Sequence, residues 1–176
     1  MSNRQLGPML ASIRLDDDAM RKSHDRRWRG AVTPNSDVKI LRLDRLGAVS
    51  IHGSKWIPIR STLGVRAFGI NAYAPEQAGD VVFNEHDETE NLAGTQRHEE
   101  LYVVLRGRAR FTVDGADVDA PAGTLVFVDD PASRRAAVAE EDGTLVLAIG
   151  GPVGEPYSPP PWEEMFLEEI VRRPET

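Results

Sequence analysis

Glu100-Leu101-Tyr102-Val103-Val104-Leu105-Arg106-Gly107, followed at once by Arg108-Ala109-Arg110-Phe111-Thr112-Val113 and Asp114-Gly115, is the stretch that decides the fold. Leu101 to Leu105 is a continuous apolar run of strand length, and Arg106-Gly107 is too short to be anything but a turn. Arg108 to Val113 alternates in the period of a half-buried strand, and Asp-Gly after such a run is a strong hairpin signal. Strands and tight turns follow one another here without room for a helix.

The same grammar extends in both directions. Downstream, Thr124 to Val128 follows Pro121-Ala122-Gly123, Ala136 to Ala139 follows a turn region from Asp129 to Arg135, and Thr144 to Ile149 follows Asp142-Gly143. Upstream, Val81-Val82-Phe83 follows Gly79-Asp80, Val65 to Tyr73 alternates, Gly47 to Trp56 offers a strand around Val49-Ser50-Ile51, and Val38 to Leu43 reads as another. Many short strands separated by turn signals predict an all-β barrel or sandwich. The organisation expected is an N-terminal arm at 1–37, a β-barrel domain at 38–151, and a Pro-rich loop and helix at 152–176. A stretch near Asp17 to Trp28 can form a helix in the arm, and Trp162 to Arg173 reads as a helix packed on the barrel.

Composition narrows the partners. With 40% hydrophobic and 28% charged residues the 176-residue chain has the make-up of a folded domain with tails. A formal charge of −7 argues against nucleic acid and against anionic membrane surfaces as partners. The basic run Arg21 to Arg29, preceded by Asp16-Asp17-Asp18, reads as a solvated arm. There is no cysteine, which excludes thiolate metal sites, cysteine nucleophiles and disulfides. With no long apolar span and no apolar leader at its start, the chain reads as cytoplasmic.

Glu100 and Gly107, with six residues between them on one strand, resemble the first motif of the cupins. The continuation through Asp114-Gly115 to Pro121-Ala122-Gly123 and Val128 resembles a cupin body, and the resemblance runs from about Phe68 to Gly151. It implies a double-stranded β-helix, or jelly roll, with a small-molecule pocket inside the barrel. In cupins the first motif supplies His-x-His and then Glu, the second motif supplies another His, and the four hold a divalent metal. Here His86 stands where the first histidine is expected, Glu88 where the second is, and Arg134 where the last is. Residues 89–97 resemble an insertion before His98-Glu99-Glu100.

Alternation puts His98, Glu100, Tyr102 and Val104 on one side of the strand. Imidazole and carboxylate donors suit Fe, Mn, Ni or Zn, and two histidines with one carboxylate can form a facial triad. His86, His98 and Glu100 are the candidate ligands, with Glu88 as an alternative oxygen donor and Tyr102 as a further pocket residue. Arg134 in a ligand position opposes a dication, and can neutralise Glu100 or grip a ligand's carboxylate or phosphate; Arg134 or Arg135 can equally be a structural partner of Glu100. His24 and His52 read as surface residues. Two functions therefore stand side by side. One is a metal-dependent oxygenase, isomerase or lyase acting on a small organic molecule. The other is a metal-free module that binds or senses a small ligand with Arg134 and Glu100 as anchors. In either case a homodimer is expected.

Overall fold

The computed structural model describes residues 38–51, 54–89 and 96–163. The arm at 1–37 with its Asp17–Trp28 stretch and His24, as well as His52 and the helix expected beyond Glu163, lie outside the described residues. Among those residues ten strands form two antiparallel sheets. They are β1 (Val49–Ile51), β2 (Ser54–Ile57), β3 (Gly69–Tyr73), β4 (Val81–His86), β5 (Glu99–Arg106), β6 (Arg108–Val113), β7 (Ala116–Pro121), β8 (Leu125–Val128), β9 (Arg135–Ala139) and β10 (Leu145–Gly151). One sheet runs β1-β2-β3-β10-β5-β8, the other β4-β9-β6-β7. This is an all-β architecture, as the strand pattern predicts, and the jelly roll that the cupin resemblance implies.

The apolar alternation explains why the sheets face each other. On β5 the side chains of Glu100, Tyr102 and Val104 are buried while those between them are only partly covered. Val82, Phe83, Tyr102, Val104, Phe111 and Val146 are each no more than 5% exposed and form the main core between the sheets. Phe83 stacks on Tyr102 with ring centres 4.7 Å apart and meets Phe111 edge-on at 5.8 Å. Burying a large apolar side chain contributes about 1.5–3 kcal/mol, so this cluster is the main stabilising unit of the barrel.

Two turns fix the strand register around it. Asp114 (φ 48°) and Gly115 (φ 81°) both take the left-handed conformation, which matches the twist of the β6–β7 hairpin. Gly107 (φ 70°) lets β5 turn directly into β6, and a Cβ there would lie 2.5 Å from Thr144 Oγ1 and 2.9 Å from its Cα. No other residue fits that corner.

The structure corrects the reading upstream of Gly69. Val38 to Leu43 is not a strand: 38–42 has no regular structure, Leu43–Arg45 is a 3₁₀ turn, and Val38, Ile40 and Leu41 are 51%, 41% and 42% exposed. Alternation specifies which face of a strand is apolar but supplies no ladder partner, and β1 pairs with β2 alone. Only the end of the Val65–Tyr73 stretch is strand. Before it, α1 (Ile59–Leu63) ends at Gly64 (φ 73°), whose N–H donates to the carbonyls of Arg60 and Ser61. This helix closes Ile57, Ile59 and Ala72 into a second cluster on the outer face of the large sheet. The aromatic residues also sort: Trp56, Phe83 and Phe111 are buried, whereas Phe68 and Phe127 face outward at 40% and 56% exposure.

After Gly151 the chain passes without regular structure to a helical turn at 161–163. This segment forms a strap along the barrel mouth. The Gln96 amide holds it from both sides, Nε2 donating to the Pro156 carbonyl at 3.2 Å and Oε1 accepting from the Ser158 N–H at 2.5 Å. Further on, Trp162 meets Trp56 edge-on at 5.6 Å and Glu163, 1% exposed, pairs with Arg60 at 2.9 Å. No helix among the described residues is long and apolar enough to cross a membrane.

Candidate metal centre

His86 is the last residue of β4, Glu100 the second of β5, and His98 precedes β5 by one residue. Glu88 is fixed by its backbone: its N–H donates to the Pro131 carbonyl at 2.8 Å and its carbonyl accepts from the His98 N–H at 3.2 Å. These elements converge at one end of the barrel. His86 Nε2 lies 3.4 Å from Glu88 Oε1 and 3.9 Å from Glu100 Oε2, and His98 Nε2 lies 3.6 Å from Glu88 Oε2. Possible ligand atoms of His86, Glu88 and Glu100 all fall within 4.8 Å of one another.

Both imidazoles are oriented from behind. His86 Nδ1 is 2.7 Å from the Asn84 carbonyl and His98 Nδ1 is 2.7 Å from the Gln96 carbonyl. A carbonyl oxygen only accepts, so each Nδ1 carries the proton and each Nε2 is turned toward the carboxylates. This is the arrangement by which proteins fix the tautomer and direction of metal-binding histidines.

The electrostatics of the cluster centre on Glu100, which is 9% exposed. Burial on its own drives its pKa upward, but His86, the Tyr102 hydroxyl and Arg135 together hold it below the ordinary carboxylate value. Tyr102 donates to Glu100 Oε2, and burial together with the Glu100 charge raises its own pKa well above that of a free phenol. It is therefore a permanent donor. His86 is held the other way: burial opposes its charge, yet Glu100 and Glu88 raise its pKa to about 10. In the metal-free site His86 is an imidazolium.

Arg134 is not in the pocket. Its side chain is 55% exposed and pairs with Glu85 at 2.7 Å and Asp87 at 3.6 Å on the outside. The cation that faces Glu100 is its neighbour Arg135, 0% exposed, with Nε 3.7 Å from Glu100 Oε2. Arg135 Nη1 donates to the carbonyls of Ser133 at 2.8 Å and Pro131 at 3.3 Å, while Nε and Nη2 are buried without a hydrogen-bond partner. Pairing with His86 on β4 and with Val113 on β6 turns Arg135 inward and so turns Arg134 out. Tyr102 is likewise no wall residue: its ring belongs to the core beneath the cluster and only its hydroxyl reaches the site.

The pocket beside the cluster is lined by Glu88, His98 and Glu100 together with residues the sequence reading did not single out, among them Asn71, Gln96 and Tyr157. Asn71 Oδ1 is buried there without a hydrogen-bond partner. The one sequence signal that bears on them is the alternation of Gly69, Asn71 and Tyr73, which puts all three on one face of β3. Tyr157 sits in a Pro-rich loop, where no periodicity marks it.

The two antiparallel sheets form a jelly roll, and the chain has the cupin fold. A predicted oxalate decarboxylase from Thermotoga maritima superposes with a TM-score of 0.51 at 16% identity, over 65% of this chain and 100% of that one. A cupin protein from Bacteroides fragilis gives 0.45 at 22% identity, over 62% and 87% of the two chains. KdgF from Halomonas gives 0.43 at 17% identity, over 57% and 79%. No protein-family model matches the sequence, and no curated protein matches it.

Proposed function

We propose that the chain is a metal-dependent enzyme acting on a small organic molecule, with His86, His98, Glu88 and Glu100 as the divalent metal site. The observation that carries this reading is the pair of Nδ1-to-carbonyl bonds, which leave His86 Nε2 facing Glu88 and Glu100 and His98 Nε2 facing Glu88. Neutral imidazoles and carboxylates suit Fe, Mn, Ni or Zn. Such a metal supplies Lewis-acid or redox chemistry of the kind used by oxygenases, isomerases and lyases. The chain's own residues do the rest: Tyr102 and Arg135 keep Glu100 ionised, and Tyr157, Ser158 and Pro160 of the strap form part of the pocket lining. The fold does not choose among these reactions.

A charge count indicates the sign of the ligand that a loaded site would favour. Glu88 and Glu100 balance His86 and Arg135 in the metal-free site; a dication that displaces the His86 proton leaves one net positive charge, which favours an anionic ligand beside it.

A second reading is a metal-free pocket that binds a small ligand. It is favoured by that same balance, since Arg135 and protonated His86 already satisfy both carboxylates. Elemental analysis of untagged protein, with Co²⁺ titration of wild type, His98→Ala and Glu100→Ala, decides between them. The enzyme reading expects a metal bound by the wild type and lost from both variants. A wild type that stays empty with Fe, Mn, Ni, Zn and Co supplied removes it in favour of the metal-free pocket.

A further inference from the structure

β3, β10 and β5 set Gly69, Gly150 and Glu100 side by side in one cross-strand row, Gly150 pairing with Gly69 on one flank and with Glu100 on the other. Neither glycine has a positive φ. Any L-residue can adopt such a conformation, and glycine weakens a strand interior, so the ladder itself has no need of either. What both provide is space. A Cβ at Gly150 would lie 2.7 Å from His98 Cδ2 and 2.9 Å from His98 Nε2, with the Glu99 carbonyl at 3.1 Å. A Cβ at Gly69 would lie 2.9 Å from the Tyr157 hydroxyl and 3.1 Å from the ring carbon that bears it.

Two rings from outside the sheet thus rest on bare backbone at adjacent positions of one row. His98 comes from the segment before β5, and Tyr157 from the strap. Both line the same pocket. We propose that the Gly69–Gly150 pair is the positioning device of the site: Gly150 seats His98 in reach of Glu88, and Gly69 seats Tyr157 as a hydrogen-bond donor to the bound ligand. The Gly150 half rests on the metal reading of His98; the Gly69 half does not. Burial, with the Glu163 charge, pushes the Tyr157 hydroxyl up to about 12, so it keeps its proton and offers it to a ligand oxygen. Two residues along the same face of β3 from Gly69, Asn71 Oδ1, buried without a partner, is suited to accept from a ligand hydroxyl. Together they fit a small molecule carrying both kinds of oxygen.

Two double-mutant cycles test the seat, Gly150→Ala with His98→Ala and Gly69→Ala with Tyr157→Ala, each read by thermal midpoint and the first also by Co²⁺ affinity. Gly150→Ala is expected to weaken Co²⁺ binding roughly tenfold or more, with no further loss once His98 is alanine. Each glycine change is expected to lower the midpoint in the wild type and to do so far less when the facing ring is gone. Gly69→Ala also speeds exchange of the Ser158 amide, which otherwise donates to Gln96. Equal losses in both backgrounds, or none in either, overturn the proposal. If Gly150→Ala is insoluble, rescue by His98→Ala supports the seat and insolubility in both backgrounds counts against it. A wild type that binds no Co²⁺ defeats the metal reading alone, because the two thermal cycles still decide whether the rings rest on the glycines.

Discussion

Arg135 and Glu100 meet inside the barrel with Nε 3.7 Å from Oε2, the guanidinium fully buried and the carboxylate nearly so. Taking one partner from a buried ion pair costs about 3–5 kcal/mol, because the other charge is left uncompensated. Glu100 retains His86 and Tyr102, so Arg135→Met is expected near the low end, about 3 kcal/mol, in the presence of chelator. A divalent metal takes over the compensation, so the deficit should shrink when Mn²⁺ is supplied. Urea unfolding with EDTA and with Mn²⁺ measures both. Arg134→Ala, on the outside with Glu85 and Asp87, should barely move either curve. Equal stability of Arg135→Met and wild type in EDTA would refute the account.

Tyr102→Phe isolates the hydrogen bond to Glu100. The ring keeps its place on Phe83 and against Phe111, and no cavity is made. Hydrogen bonds to charged groups contribute about 1.5–3 kcal/mol, and the variant should lose an amount in that range by urea unfolding in EDTA. A loss well below it would mean that water replaces the hydroxyl and that the cluster is wetter than the burial of Glu100 implies.

The pH dependence follows from His86. Its folded pKa of about 10 lies above the ordinary 6.5, so its contribution to stability is complete below 6.5 and is lost as the pH rises through about 10. Glu100 acts in the opposite sense: held below 4.5, it contributes above that value and is lost as the pH falls. Metal-free wild type should therefore weaken toward both extremes, and His86→Gln should lose the alkaline limb and make the acid limb shallower, because His86 is the first of the groups that hold Glu100 down. Metal binding must displace the His86 proton, so the affinity should rise about tenfold per pH unit from pH 7 toward 10. Calorimetry in buffers of different ionisation heat reads that proton directly, and a pH-independent affinity would show that His86 is not a ligand.

How far the site was legible depends on what alternation can and cannot specify. Along β5 and the residue before it, alternation puts His98, Glu100 and Tyr102 on one side without any partner strand, and that is where they lie. Arg134 and Arg135 show its limit: which of two adjacent arginines points inward depends on where β9 begins, and that is fixed by pairing with His86 and Val113, from distant parts of the chain. Val38 to Leu43 failed for the same reason, an apolar pattern with no ladder to join. The hairpin at Asp114-Gly115 was legible because turn chemistry is local. Tyr157 was not, because a Pro-rich strap has no period, and its place is set by contacts with Gly69 and Arg60 and by the Gln96 bonds to its neighbours Pro156 and Ser158.

Arg60 is the residue through which the strap should be easiest to open. Its guanidinium pairs with Glu163 at 2.9 and 3.1 Å and lies 5.9 Å from the centre of the Tyr157 ring, so one cation from α1 holds the strap at two points. Arg60→Met keeps an apolar stem but removes the guanidinium that faces Glu163, and with one stabilising charge gone the balance for a carboxylate 1% exposed shifts toward turning to water. That movement carries Trp162 away from Trp56 and releases Ser158 from Gln96. Ser158 amide exchange should rise on the order of tenfold or more, with a red shift of tryptophan emission, while the β5 and β10 amides stay protected. Unchanged Ser158 exchange would mean that the Trp56–Trp162 contact and the Gln96 clamp hold the strap without Arg60. A rise across β5 and β10 as well would mean that the strap is part of the barrel's cooperative unit and cannot open on its own.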